Sequence, residues 1–133
     1  GAQFTITPVL CRDTIELAVR YDHLVVPGTL TPTEMFQAFQ WGAPAVKLFP
    51  ASSLGPDYIR HVRGPLGQIP IIPTGGIDLS NVGDFIAAGA AAVGLGGSLV
   101  KRTDGVDGNY AVVTERAKAF VEAVAAARQA KGK

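Results

Sequence analysis

Short, continuous apolar runs recur along the chain: Phe4-Thr5-Ile6, Leu24-Val25-Val26, Ala45-Val46-Lys47-Leu48-Phe49, Pro70-Ile71-Ile72-Pro73 and Ala92-Val93-Gly94-Leu95. Successive runs begin about 20 to 25 residues apart, and helical patterns fill the gaps. Unbroken apolar strands that alternate with helices predict a parallel sheet covered by helices. The helix between the second and third runs is clearly marked. Thr31 suits its N-cap, Pro32 its first turn, and Glu34 completes a capping box. Met35, Phe36 and Phe39 then form an apolar face, and Gly42 stops the helix. A second helix starts near Pro56 and ends at Gly64-Pro65, with Ile59 and Val62 toward the sheet and Arg60 and Arg63 toward water. A third covers roughly residues 79–88 and stops at Gly89. The last runs from about Tyr110 to Arg128 and leads into a polar tail, Lys131-Gly132-Lys133.

Five such units are too few for a closed (β/α)8 barrel, which typically needs about 200 residues or more. The chain is therefore either an open five-stranded sheet or part of a barrel. Gly1-Ala2-Gln3-Phe4 enters a strand almost at once, as though a repeat had been cut through its middle. No interdomain linker interrupts the pattern, so residues 1–133 read as a single domain.

Composition narrows the class. The chain is 47% hydrophobic and 17% charged, as expected of a globular domain. No apolar run reaches the roughly 18 residues of a spanning helix, and no secretion-signal pattern opens the chain. A single cysteine, Cys11, cannot form an intrachain disulfide, which fits a reducing cytoplasm. A net charge of +1 points to neither nucleic acid nor an anionic membrane.

Lys47 is the anomaly in this pattern. A lysine inside an apolar strand either snorkels its charge to solvent or has chemistry to perform. Desolvation disfavours the ammonium form, and a neutral amine can attack a carbonyl to form a Schiff base. The loops that follow favour the second reading. Pro73-Thr74-Gly75-Gly76-Ile77 ends the fourth run, and Gly94-Leu95-Gly96-Gly97-Ser98-Leu99 ends the fifth. Glycine pairs let backbone approach a ligand and expose N–H groups to an anion. A helix after each loop would add the positive end of its dipole. One such pair could simply be a tight turn; two at the carboxyl ends of neighbouring strands predict a phosphate cradle, with Ser98 as a hydroxyl donor. Alternation puts Phe49 on the same side as Lys47, an apolar wall beside the amine. Thr7-Pro8 and Pro27-Gly28-Thr29 end the first two runs at the same mouth, where turn chemistry explains each singly. His23 and His61 lack partners at metal-ligand spacing, Trp41 reads as packing, and Asp57, Asp78 and Asp84 read as helix-start or solvated residues. No carboxylate is obviously buried beside Lys47, although carbon–carbon cleavage through a Schiff base needs a proton shuttle.

Val46-Lys47-Leu48-Phe49-Pro50-Ala51, Arg63-Gly64-Pro65-Leu66 and the two glycine loops together resemble the 2-keto-3-deoxy-6-phosphogluconate aldolases, also described as 4-hydroxy-2-oxoglutarate aldolases. The resemblance runs in order over nearly the whole chain. It implies a (β/α)8 TIM barrel of which this chain supplies about strands 4–8 and the closing helix. It implies a class I aldolase, with no metal and no cofactor, commonly a cytoplasmic homotrimer. The implied reaction cleaves the phosphorylated keto acid to pyruvate and glyceraldehyde 3-phosphate. By resemblance, Lys47 is the Schiff-base lysine, Gly75, Gly76, Gly96, Gly97 and Ser98 bind phosphate, and Phe49, Thr74 and Pro8 line the pyruvate side. The first three βα units of the family, which carry its proton-shuttling glutamate, have no counterpart here. Ala51-Ser52-Ser53 lacks a carboxylate that some members have. Two other readings remain open: a non-catalytic phosphate-binding partial barrel, and a phosphate-binding barrel isomerase or synthase in which Lys47 is an electrostatic group.

Overall fold

The computed structural model describes residues 1–106 and 108–131. In chain order the elements are β1 (Phe4–Ile6), α1 (Arg12–Arg20), β2 (Leu24–Val26), β3 (Gly28–Thr29), α2 (Pro32–Gln40), β4 (Val46–Leu48), α3 (Gly55–Arg63), β5 (Ile71–Pro73), α4 (Val82–Ala87) and α5 (Ala111–Lys131). Every strand pairing is parallel: β1 with β2, β3 with β4, and β4 with β5. β2 and β3 are one extended stretch interrupted at Pro27, which has no N–H to give a ladder. Its carbonyl still accepts Lys47 N–H at 2.8 Å, so one side of this stretch serves β1 and the other β4. Neighbours in space thus follow neighbours in sequence, with helical crossovers between them. That is barrel connectivity, without the strand-order reversal of a doubly wound sheet.

The fifth run does not become a strand. Among the described residues its one strand pairing is a single parallel bridge, Thr74 to Gly94. A Cβ at Gly94 would lie 2.3 Å from the Thr74 hydroxyl, so the chains touch closely at one point. Beyond it the backbone bends at Gly96 and turns through Leu99, whose N–H bonds to the Gly96 carbonyl. The helix expected directly after this loop is likewise one turn, and the next helix starts only at Ala111. The third helix also starts later than its pattern predicts. Asp78 accepts hydrogen bonds from the Ser80 N–H and hydroxyl, and Asn81 donates to the Gly76 carbonyl, so side chains divert the first turn.

α2 follows its sequence signal closely. Thr31 Oγ1 accepts the Glu34 N–H, while the Glu34 carboxylate accepts the Thr31 and Leu30 N–H groups at 2.7 and 2.8 Å. Those backbone donors hold the Glu34 carboxyl below its usual range. A depressed folded value means that its contribution is complete above the unfolded value near 4.5 and is lost as pH falls through the folded one. Thr31→Ala is expected to cost about 1 kcal/mol, measured as a lower urea midpoint with an unchanged slope. In α3, Ile59 and Val62 are buried as the pattern requires, and Arg60 is exposed. Arg63 does not point to water as expected. It is half-buried over Gly89, where a Cβ would come within 2.6 Å of its Nε, so its stem packs on the end of α4.

The core lies on one side of the sheet, where Val25, Val46, Leu48 and Ile71 meet Ile15, Met35, Ile59 and Phe85 from the helices. The opposite face is bare at β1 and β2: Phe4, Ile6 and Leu24 are 57%, 53% and 50% exposed, with Phe4 opposite Leu24 in register. An apolar sheet face of this kind favours association. The 133-residue chain is expected to bind a hydrophobic dye and to sediment with concentration-dependent mass; a dye-silent monomer at all concentrations would contradict this.

Candidate active site

β4 aims Lys47 by alternation. Val46 and Leu48 are fully buried toward the helices, so Lys47 faces the other way and is half-buried. Its strand partners are Gly28 and Ile72. The buried Thr29 hydroxyl donates to the Lys47 carbonyl at 3.1 Å, fixing the backbone under the amine. Two residues on, Phe49 donates its N–H to the Thr29 carbonyl, and Lys47 Nζ lies 4.6 Å from the centre of its ring. The Phe49–Pro50 peptide is cis.

Phe49 also forms one wall of a cleft of about 460 Å³ at the carboxyl ends of the strands. Thr74 and residues 75–78 form a second wall and residues 94–98 a third. The glycines here have different causes. Gly75 and Gly76 adopt φ of +90° and +72°, a conformation L side chains rarely take. A Cβ on Gly76 would lie 2.3 Å from that of Ser52, and one on Gly75 would lie 3.1 Å from the Phe49 ring. Gly96 and Gly97 have neither constraint, because nothing lies within 4 Å of a Cβ there and neither is left-handed. Their smallness leaves open space in the cleft. The N–H groups of Gly75, Gly76, Gly97 and Ser98 make no hydrogen bond among the described residues, and all four residues line the cleft, so donors are available in its walls. Neither loop is followed directly by a helix, so any anion held here would rest on these loop donors rather than on helix dipoles.

Phe49, Thr74 and both glycine loops therefore share one cleft; Lys47 does not line it and adjoins it through the Phe49 ring. Pro8 does not line the cleft. It ends β1 with its backbone against Gly28, where a Cβ would be 2.3 Å from the Pro8 carbonyl carbon, so it backs the residue paired with Lys47. Sequence reasoning passed over Ser52, which crowds Gly76, and over Asp78, which lines the cleft. Asp78 follows directly on the Gly75-Gly76-Ile77 loop, the signal that could have found it. The Ser80 hydroxyl and N–H hold its carboxyl below the usual range. Glu34 is taken up by its capping box and Asp57 pairs with Arg60 on exposed α3, and neither lines the cleft. His23 Nε2 meets the Thr5 hydroxyl at 3.2 Å, a structural contact. Among the described residues no three His, Cys, Asp or Glu side chains group as metal ligands, and no helix is long and apolar enough to cross a membrane.

The family model "Aldolase: KDPG and KHG aldolase" matches residues 1–116. The chain is 37% identical over 125 residues to the 2-dehydro-3-deoxy-6-phosphogalactonate aldolase of Escherichia coli, covering 93% of this chain and 61% of that protein. It is 34% identical over 129 residues to the 2-dehydro-3-deoxy-phosphogluconate aldolase of Dickeya dadantii, covering 96% and 59%. The structure described as native KDPGal superposes with a TM-score of 0.90 at 36% identity, covering 97% of this chain and 61% of the other. KDPG aldolase from Legionella pneumophila, captured with pyruvate as a covalent carbinolamine, gives 0.82 at 26% identity, with 90% and 59% covered. The chain thus spans about three fifths of the length of the relatives it matches. With the parallel, sequence-ordered strands, these likenesses assign the chain to a TIM-barrel-like α/β fold and to the KDPG and KHG aldolase family.

Proposed function

We propose that the protein carrying this chain is a class I pyruvate aldolase, with strands 4–8 of an eight-stranded barrel supplied here. Its substrate is 2-keto-3-deoxy-6-phosphogluconate, cleaved to pyruvate and glyceraldehyde 3-phosphate. The observation that carries this reading is Phe49, which touches the Lys47 amine on one side and lines the N–H-rich cleft on the other. Lys47 attacks the 2-keto carbon; the resulting iminium accepts the electron pair released when the bond between C3 and C4 breaks. Gly75, Gly76, Gly96, Gly97 and Ser98 hold the 6-phosphate, and binding at that remote group orients the reacting bond. Thr74 and Phe49 border the pyruvate portion, with Pro8 behind Gly28. The proton shuttle comes from outside this chain: Glu34 and Asp57 lie away from the cleft, and Asp78, which lines it, is bound to the Ser80 N–H and hydroxyl. The 4-epimer, the phosphogalactonate, is the second reading, favoured by the Escherichia coli relative. It offers the same keto acid and phosphate to the same groups. A homotrimer in the cytoplasm completes the proposal.

The test is pyruvate release from each epimer, coupled to lactate dehydrogenase, by the 133-residue chain. Loss of general acid–base help typically removes about 10²- to 10⁴-fold in rate, so the chain by itself is expected to turn over near background. Full turnover would show that a carboxylate within it moves the proton.

A further inference from the structure

We propose that the Phe49 ring is a catalytic group in its own right: its π face stabilises the positive charge that forms on Lys47 Nζ in the iminium. This rests on the Schiff-base reading of Lys47. Nζ stands 4.6 Å from the ring centroid, inside the roughly 6 Å over which an aromatic face attracts a cation. Among the described residues Nζ has no hydrogen-bond or ion-pair partner, so the ring face is what it meets. The ring is held in place. Its backbone N–H is bound to the Thr29 carbonyl at 3.1 Å, and its edge lies against Gly75, where any side chain would press on Cδ2 and Cε2.

The chemistry gives this contact a role beyond packing. The neutral amine adds to the C2 carbonyl; the carbinolamine takes up one proton and loses water, leaving a cationic carbon–nitrogen double bond. The nitrogen end of that cation stays tethered by the Lys47 side chain beside the ring. A carboxylate in the ring's place would pair with the resting ammonium and exchange protons with it. A π face attracts the resting ammonium as well as the iminium, but it neither gives nor takes a proton, and it also shields one side of the nitrogen from water.

The test replaces Phe49 by phenylalanines carrying one, two, three and five ring fluorines, which drain the quadrupole with little change in shape. The readout is the fraction of the chain captured by pyruvate and borohydride, measured by intact mass and mapped to Lys47. Captured iminium is expected to fall stepwise with fluorine number, by about two- to five-fold across the series, as expected for a half-exposed cation–π contact. Phe49→Leu should match the low end and Phe49→Trp should match or exceed the parent, with thermal midpoints of the fluorinated set unchanged. A merely apolar wall would give a flat series and normal capture by the leucine variant, and either result overturns the proposal. Absence of any label on Lys47 in the parent chain would instead remove the Schiff-base reading, and this inference with it.

Discussion

Lys47→Ala is expected to abolish capture of pyruvate by borohydride, leaving no carboxyethyl adduct on the peptide that contains residue 47. Lys101 and Lys118 are two of the other lysines that set the background. Lys101 is exposed, and Lys118 is exposed and paired with Glu115 at 2.7 Å. Neither has the apolar strand and aromatic face that surround Lys47. Lys47→Arg separates the rival readings. It keeps a cation over the Phe49 ring but removes the primary amine that can condense with a carbonyl. If Lys47 acts only as an electrostatic group, as in a barrel isomerase or synthase, the arginine variant retains much of the activity of the complete protein. If it is the nucleophile, arginine is as inactive as alanine. Adduct on Lys101 or Lys118 in the parent chain, with residue 47 unlabelled, would overturn the assignment.

Part of the geometry of the candidate site was legible because its signals are local. Lys47 breaks a run that is otherwise apolar, and the alternation of β4 turns that break into a direction in space. Thr31, Pro32 and Glu34 encode a helix start within four residues, and the structure has that capping box. The failures come mostly from non-local competition, and in one case from side chains that bond to nearby backbone. Ala92-Val93-Gly94-Leu95 has strand composition, yet pairing depends on what lies beside it, and it makes one bridge at Gly94. The helix expected near Leu79 is delayed because Asp78 and Asn81 bond to nearby backbone. Arg63 reads as a solvated charge from its helical spacing, but the missing side chain at Gly89 creates a place for its stem. Ser52 has no signal in the sequence, because its importance arises only where it meets Gly76 across a strand gap. The glycine pairs themselves look alike as letters. Only their dihedral angles and surroundings show that one pair is required by the fold and the other is free of it.

That difference yields opposite expectations for the same substitution. Gly76→Ala is expected to destabilise the chain by about 3 kcal/mol, combining the strain of a left-handed backbone without glycine with a steric collision at the surface. The collision is with Ser52, 2.3 Å from the new Cβ, at φ +72°. This is a large share of an ordinary domain's stability, which is about 5 to 15 kcal/mol. Ser52→Gly in the same chain relieves the collision but not the dihedral strain, so the double variant should recover only part of the loss. Gly97→Ala meets nothing within 4 Å and has no left-handed backbone to strain. Its stability should change by no more than about 0.5 kcal/mol. The added methyl group would, however, stand in the cleft beside the N–H groups of Gly97 and Ser98. Blocking one hydrogen bond to a charged oxygen costs about 1.5 to 3 kcal/mol, so phosphate affinity should fall by at least about tenfold. Calorimetric titration with inorganic phosphate, beside urea unfolding of the same samples, measures both effects. A Gly97→Ala chain that is stable and binds phosphate as tightly as the parent would show that the second glycine pair does not form the anion site.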